Sequence, residues 1–176
     1  MQNQWVEGET WRRYYRRMGT EIERKFLLRD DSWRRHVSRT EDIVQGYLAN
    51  TERASIRVRL SGTSATLNIK SMTLGAVRSE FDFPIPAADA RILLDRMCGH
   101  PLIEKTRHHV AYAGSEFEID EFRGENEGLI VAELELAADT REFARPPWLG
   151  RDVTDDARYY NINLVTAPFR DWRSTG

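Results

Sequence analysis

The sequence contains a single cysteine, Cys98, among its 176 residues. An internal disulfide is therefore excluded, and so is a metal site built from several cysteines. No apolar run approaches the roughly 20 residues of a membrane-spanning helix, and the N-terminal segment lacks the apolar core of a signal peptide. These absences predict a cytoplasmic protein. The setting of Cys98, after Leu93, Leu94 and Met97 on one face of a predicted helix, predicts a buried thiol.

The chain also lacks an excess of positive charge, since its formal net charge is −2 at pH 7. A nucleic-acid-binding protein usually carries a clear excess of lysine and arginine, so we expect no nucleic-acid partner. A polyanion could bind only where cations are locally concentrated. Charged residues make up 31% and hydrophobic residues 40% of the sequence, which is typical of a globular protein.

We expect one domain over residues 20–165, with an N-terminal extension (1–19) before it and a C-terminal tail (166–176) after it. Strand patterns dominate this domain. Eight strands are predicted near residues 20–29, 42–50, 53–60, 64–70, 76–85, 102–113, 115–122 and 129–137. Short connections favour antiparallel pairing. Helices are predicted over 31–37, over 87–98 and after a capping Thr154, and we expect them to cover the apolar outer side of the sheet.

Charged residues occupy every second position in seven of these strands. In the first, Glu21, Glu23 and Lys25 share one face of the strand because side chains alternate with period two. The cations on such faces are Lys25, Arg57, Arg59, Lys70, Arg78, Lys105 and Arg107. The carboxylates are Glu21, Glu23, Glu80, Asp82, Glu118, Asp120, Glu133 and Glu135. One charged strand face is commonly exposed to solvent, but seven together predict a curled sheet with a charged interior.

Confined ion pairs are poor stabilisers, so a functional role explains this pattern better. Arginine and lysine suit the binding of a polyphosphate, because arginine offers forked donors and lysine a compact charge. Clustered carboxylates suit Mg²⁺ or Mn²⁺, which prefer oxygen ligands. The neighbouring His108 and His109 face opposite ways on a strand and indicate no metal site of their own.

Taken in order, these motifs resemble the CYTH superfamily, the triphosphate tunnel metalloenzymes. The motifs are Glu21-x-Glu23-x-Lys25, Gln45-Gly46-Tyr47-Leu48, Ile56-Arg57-Val58-Arg59, Ile69-Lys70, Arg78-Ser79-Glu80-Phe81, Glu104-Lys105-Thr106-Arg107 and Ala132-Glu133-Leu134-Glu135-Leu136. The resemblance implies an α+β fold, a closed eight-stranded antiparallel β-barrel with flanking helices. It also implies that the tunnel of the barrel holds a triphosphate and a divalent metal, Mg²⁺ or Mn²⁺.

The same resemblance assigns roles to the charged residues. Phosphates would be bound by Lys25, Arg57, Arg59, Lys70, Lys105 and Arg107, and the strand pattern adds Arg78. The metal would be held by Glu21, Glu23, Glu133 and Glu135, with Asp120 as a further ligand. Lys25 and a carboxylate, Glu80 or Glu133, would serve catalysis.

Among the branches of this family, the motifs are most similar to those of short bacterial proteins that hydrolyse inorganic tripolyphosphate to pyrophosphate and phosphate. Three alternatives stay open at this point: a class IV adenylyl cyclase, a thiamine triphosphatase and a non-catalytic polyphosphate-binding module. The tunnel mouth would distinguish the first two, and the metal-binding carboxylates argue against the third. A homodimer is compatible with the sequence, which does not determine the oligomeric state.

Overall fold

A computed structural model describes residues 21–71, 80–137 and 142–172. Its strands are β1 (Glu21–Leu28), β2 (Val37–Asn50), β3 (Ala54–Ser61), β4 (Ser64–Ser71), β5 (Glu80–Pro84), β6 (Ile103–Tyr112), β7 (Ser115–Phe122), β8 (Ile130–Ala137) and β9 (Leu149–Asp152). Its α-helices are α1 (Ala87–Arg96), α2 (Asn163–Thr166) and α3 (Phe169–Trp172), and 3₁₀ turns span Ser32–His36, Gly124–Asn126 and Ala157–Tyr159. No helix in these residues is long and apolar enough to cross a membrane.

The strands form one sheet in the order β5-β4-β3-β2-β6-β7-β8-β1-β9, and every pairing is antiparallel. The predicted α+β class and antiparallel sheet are therefore confirmed. The described residues form nine strands instead of the predicted eight, because β9 adds a short strand beside β1. Short β9 follows two prolines and lacks a period-two pattern, so no sequence signal indicated it.

The sheet curls so that strands far apart in the pairing order approach each other. Tyr47 on β2 and Lys25 on β1 are separated by three intervening strands. Burial raises the pKa of Tyr47. The positive charge of Lys25 acts against this increase, so the Lys25 side chain lies near Tyr47. Within the described residues no pairing joins β5 to β9, so closure of the barrel stays a prediction.

The outer side of the sheet is apolar and carries most of the core. Phe26, Phe117 and Leu134 are fully buried there with Trp148. Helix α1 covers another part of this side, where Ala90, Leu94 and Cys98 pack with Val58 and Ala65. This packing confirms that α1 covers the outer side and that the Cys98 thiol is buried.

The C-terminal helices do not cover the outer side as predicted. Tyr159 and Leu164 pack with Ile103, Phe122 and Val131, with Phe169 and Trp172 against the same cluster. Phe122 pairs in register with Lys105 and lies 5.5 Å from its Nζ, measured to the ring centroid. Ile103, Phe122 and Val131 therefore lie on the charged side of the sheet, and the C-terminal segment packs against this side.

The predicted capping role of Thr154 is also wrong. Thr154 lies in a turn, and its hydroxyl accepts a hydrogen bond from the backbone N–H of Lys25 at 3.0 Å. The N-cap residue of the following 3₁₀ turn is Asp156, whose side chain accepts a hydrogen bond from the backbone N–H of Arg158. Thr154 thus fixes the backbone of β1 at the residue that presents a charged side chain to the interior.

Gly46 allows α1 to end directly against β2. A Cβ atom at Gly46 would lie 2.7 Å from Cys98 Cβ and 2.8 Å from Leu102 Cδ2. We expect Gly46→Ala to lower the free energy of unfolding by about 1–3 kcal/mol, because overpacking forces neighbouring groups to move. Urea denaturation measures this change. Gly99→Ala is the matched control, since nothing lies within 4 Å of its Cβ position; equal effects of both variants would contradict the packing argument.

A second prediction concerns the contact between β1 and β9. Arg24 pairs with Asp152, which also accepts hydrogen bonds from the backbone N–H and the hydroxyl of Thr154. Burial tends to raise the pKa of Asp152, but these hydrogen bonds and Arg24 lower it below its ordinary value. A carboxyl with a lowered folded-state pKa stabilises the protein above its unfolded-state pKa of about 3.9, and this contribution is lost as the pH falls through the folded-state pKa.

Asp152→Asn is therefore expected to be less stable than the parent protein near pH 6, with the difference shrinking in acid below about pH 3.9. Urea denaturation at both pH values measures it. Asp155→Asn, at an exposed neighbouring position, provides the control. A stability difference for Asp152→Asn that grows in acid would contradict the assignment.

Candidate functional site

One side of the curled sheet collects charged residues from seven strands, and we refer to it as the charged face. The register explains the collection, because residues paired across antiparallel strands project to the same side. Its central residues are Lys25, Arg57, Arg59, Lys70, Glu80, Lys105, Arg107, Glu118, Asp120 and Glu133. The predicted period-two pattern thus places these residues together.

Lys25 and Glu133 form a buried pair at the junction of β1 and β8. They are register partners, and Lys25 Nζ contacts Glu133 Oε1 and Glu23 Oε1. Burial alone would lower the pKa of Lys25, but Glu133 and Glu23 raise it above its ordinary value. Lys25 is therefore a permanent cation inside the charged face.

Arg107 connects three carboxylates. Its Nε and Nη2 donate to the two oxygens of Asp120 at 2.7 and 2.8 Å, and Nη2 also donates to Glu133 Oε2 at 2.7 Å. Nη1 contacts Glu118. Burial tends to raise the pKa of Glu133, but Lys25, Lys105 and Arg107 hold it well below its ordinary value. Glu133 therefore stays ionised and orients two cations, which makes it a poor base.

Lys105 and Asp120 form the most deeply buried ion pair, and both side chains have no exposed surface. Burial lowers the pKa of Lys105 to about 8, while the charge of Asp120 opposes that shift. Asp120 is shared between Lys105 and Arg107. This arrangement commits Asp120 to two cations and leaves it little capacity for a metal ion.

The cations on β3 are much less compensated. Arg57 lies 4.0 Å from its nearest carboxylate partner, Glu80, and its Nε has no hydrogen-bond partner in the part of the chain that the structure describes. The adjacent charge of Arg57, together with burial, lowers the pKa of Arg59 to about 10. This half of the charged face is electropositive and suits an anion.

Lys70 and Glu80 lie at the edge of this electropositive region. Lys70 Nζ and Glu80 Oε2 are 2.8 Å apart. Asn68 Nδ2 donates to both Glu80 and Asp82. The asparagine therefore fixes two carboxylates on β5, a role for which its buried amide is well suited.

The opposite half of the charged face is rich in carboxylates. Glu23 and Glu135 are register partners and both are exposed. Glu118 pairs in register with Glu133. Burial raises the pKa of Glu118, and Glu133, Asp120 and Glu135 add to this shift although Arg107 opposes it. Facing carboxylates are destabilising unless a cation lies between them.

A divalent metal is compatible with this donor set. Among the described side chains, no three or more histidine, cysteine, aspartate or glutamate residues converge on a metal-sized site. Mg²⁺, however, usually binds through one or two carboxylates and completes its shell with substrate phosphates and water. Glu23 and Glu135 face each other as register partners and are more exposed than Asp120 and Glu133, although Glu23 also contacts Lys25.

Two predicted residues cannot be placed. Arg78 and the side chain of Glu21 lie outside the described residues. No role was predicted from the sequence for two buried amides of the interior, Gln45 and Asn68, although Gln45 belongs to a quoted motif and Asn68 lies two positions from Lys70.

The two histidines face opposite ways, as expected for adjacent strand positions. His109 lies beside the charged face, with Nε2 2.8 Å from Glu41 Oε1 and Nδ1 3.1 Å from Glu116 Oε1. His108 packs instead against the ring of Trp33, with ring centroids 5.1 Å apart. His109 is thus held by carboxylates at one end of the interior.

Comparison with known proteins agrees with this geometry. The family model described as the CYTH domain matches residues 19–165. An inorganic triphosphatase of Acetivibrio thermocellus is 39% identical over 156 residues, which cover 89% of this chain and 99% of that protein. An inorganic triphosphatase of Nitrosomonas europaea is 34% identical over 150 residues, which cover 83% of this chain and 97% of the relative.

The fold is shared with a solved structure as well. A crystal structure of an inorganic triphosphatase superposes with a TM-score of 0.60 at 32% identity, covering 85% of this chain and 97% of the other. The predicted resemblance in motifs therefore extends to the fold.

Proposed function

Because the chain belongs to the CYTH domain family, we propose that it hydrolyses inorganic triphosphate to pyrophosphate and phosphate. The relatives named inorganic triphosphatase confirm the predicted class of enzyme. The observation that carries the proposal is the division of the charged face by sign. Arg57 and Arg59 concentrate positive charge on one half, and Glu23 and Glu135 place facing carboxylates on the other.

In this proposal the cations bind and polarise the phosphate chain. Arg57 and Arg59 bind one part of the triphosphate, with Lys70 at the edge. Lys25 and Arg107, oriented by Glu133, contact the phosphoryl group that is transferred. Phosphoryl transfer depends mostly on positioning and charge stabilisation, so fixed cations of this kind account for much of the catalysis.

We further propose Mg²⁺ or Mn²⁺ as the cofactor, held by Glu23 and Glu135 and by Glu21 from the sequence pattern. When bound, the metal supplies charge neutralisation at phosphate oxygens. Glu133 and Glu80 are the carboxylates proposed to serve catalysis. Their ion pairs favour roles in orienting Lys25, Arg107 and Lys70 over a role as general base.

A direct assay tests the proposal. The purified protein is incubated with tripolyphosphate, ATP, thiamine triphosphate or pyrophosphate in the presence of Mg²⁺ or Mn²⁺, and the products are separated by ion chromatography. We expect tripolyphosphate to be the preferred substrate. Cyclic AMP from ATP without phosphate release from tripolyphosphate would identify a cyclase instead, and binding without turnover would identify a polyphosphate-binding module.

A further inference from the structure

Gln45 is a buried amide in the interior that none of the assigned roles uses. It has no exposed surface and lies on β2 between Ile103 of β6 and Arg59 of β3, its register partners. Its Oε1 accepts a hydrogen bond from Arg59 Nε at 3.4 Å. Its Nε2 has no hydrogen-bond partner among the described residues.

The orientation of this amide follows from chemistry. Arginine offers only donors, so the oxygen of Gln45 must face Arg59 and Nε2 must point elsewhere. A flipped amide would set two donors against each other. Buried amide donors nearly always have a partner, and a native protein that leaves one without any calls for an explanation.

The neighbouring groups indicate what that partner is. A second buried donor without a partner in the described part of the chain is Arg57 Nε. Arg57 lies two positions from Arg59, on the same face of β3. Arg57 and Arg59 make this region electropositive, as the lowered pKa of Arg59 also indicates. A third cation would add to their repulsion, whereas a neutral amide adds a donor without adding charge. An anionic acceptor would satisfy all of these donors.

We propose that Gln45 Nε2 donates a hydrogen bond to a non-bridging phosphate oxygen of the triphosphate. Gln45 is then a binding residue of the charged face, beside Arg57 and Arg59. This inference rests on the proposed function, since it names one contact of the same substrate. Arg59 has a second role, because it fixes the amide in the orientation that binds phosphate.

Calorimetry with tripolyphosphate in EDTA tests the contact without turnover. Gln45→Met replaces the amide by an apolar side chain of similar length. We expect its dissociation constant to be about 10- to 100-fold weaker than that of the parent, as for the loss of one hydrogen bond to a charged group. Its melting temperature without ligand checks that the variant is folded. An unchanged dissociation constant would overturn the inference.

Nuclear magnetic resonance distinguishes direct contact from mere positioning of Arg59. The side-chain NH₂ signals of Gln45 are those missing from the spectrum of Gln45→Met. Tripolyphosphate should shift the NH₂ signals of Gln45. It should not shift the NH₂ signals of Asn126, whose amide is hydrogen-bonded to the backbone of Phe169 and Leu164. Unshifted Gln45 signals in a protein that binds tripolyphosphate would refute this contact alone. A parent protein that neither binds nor hydrolyses tripolyphosphate would refute the proposed function and the contact with it.

Discussion

Glu135→Gln is expected to lower the rate of tripolyphosphate hydrolysis by about two orders of magnitude or more. Glu135 and Glu23 face each other across β8 and β1, and together they are the proposed metal ligands. Glutamine keeps the size of the side chain but removes one of the two charges. Charge stabilisation by a bound metal is worth several kcal/mol, and each 1.36 kcal/mol is a factor of ten in rate.

The same variant should lose its thermal response to metal. A ligand at about 100 times its dissociation constant stabilises the folded protein by about 2.7 kcal/mol, so MnCl₂ or MgCl₂ should raise the melting temperature of the parent protein but not that of Glu135→Gln. Glu104→Gln, at an exposed position on β6, is the matched control and should retain both properties. Full activity and a full metal response in Glu135→Gln would rule out the proposed metal site.

The alternation of side chains made most of the charged face predictable. Period two places Lys105 and Arg107 on one face of a strand wherever that strand lies, and the same holds for Arg57 and Arg59. Which cation would pair with which carboxylate was not predictable, because this depends on register between strands. The structure shows Asp120 between Lys105 and Arg107, although the family resemblance implied that it is a metal ligand.

The remaining differences arise from tertiary contacts. The short strand β9 is defined by its pairing with β1. Its four residues show no period-two pattern, so the sequence alone did not indicate a strand there. Tyr159 and Leu164 look like the apolar residues of any covering helix, and sequence cannot indicate that they pack on the charged side. Gln45 was missed for a related reason, since only burial reveals that its amide lacks a partner.

Asp120→Asn is expected to lower the free energy of unfolding by about 3–5 kcal/mol, the usual consequence of removing one partner from a buried ion pair. Asp120 and Lys105 have no exposed surface, and Asp120 also accepts two hydrogen bonds from Arg107. Asparagine retains an acceptor but not the charge. Urea denaturation measures the loss, and Asp155→Asn again serves as the exposed control.

The double variant Asp120→Asn, Lys105→Met separates stability from function. It removes the uncompensated Lys105 cation, while Arg107 keeps its contacts with Glu133 and Glu118. Because apolar residues often replace a buried ion pair at little cost, much of the lost stability should return. Tripolyphosphate hydrolysis should not return, since the family resemblance assigns Lys105 to phosphate binding. Recovery of both would mean that the pair serves folding, whereas recovery of stability alone would mean that its two charges are retained for the substrate.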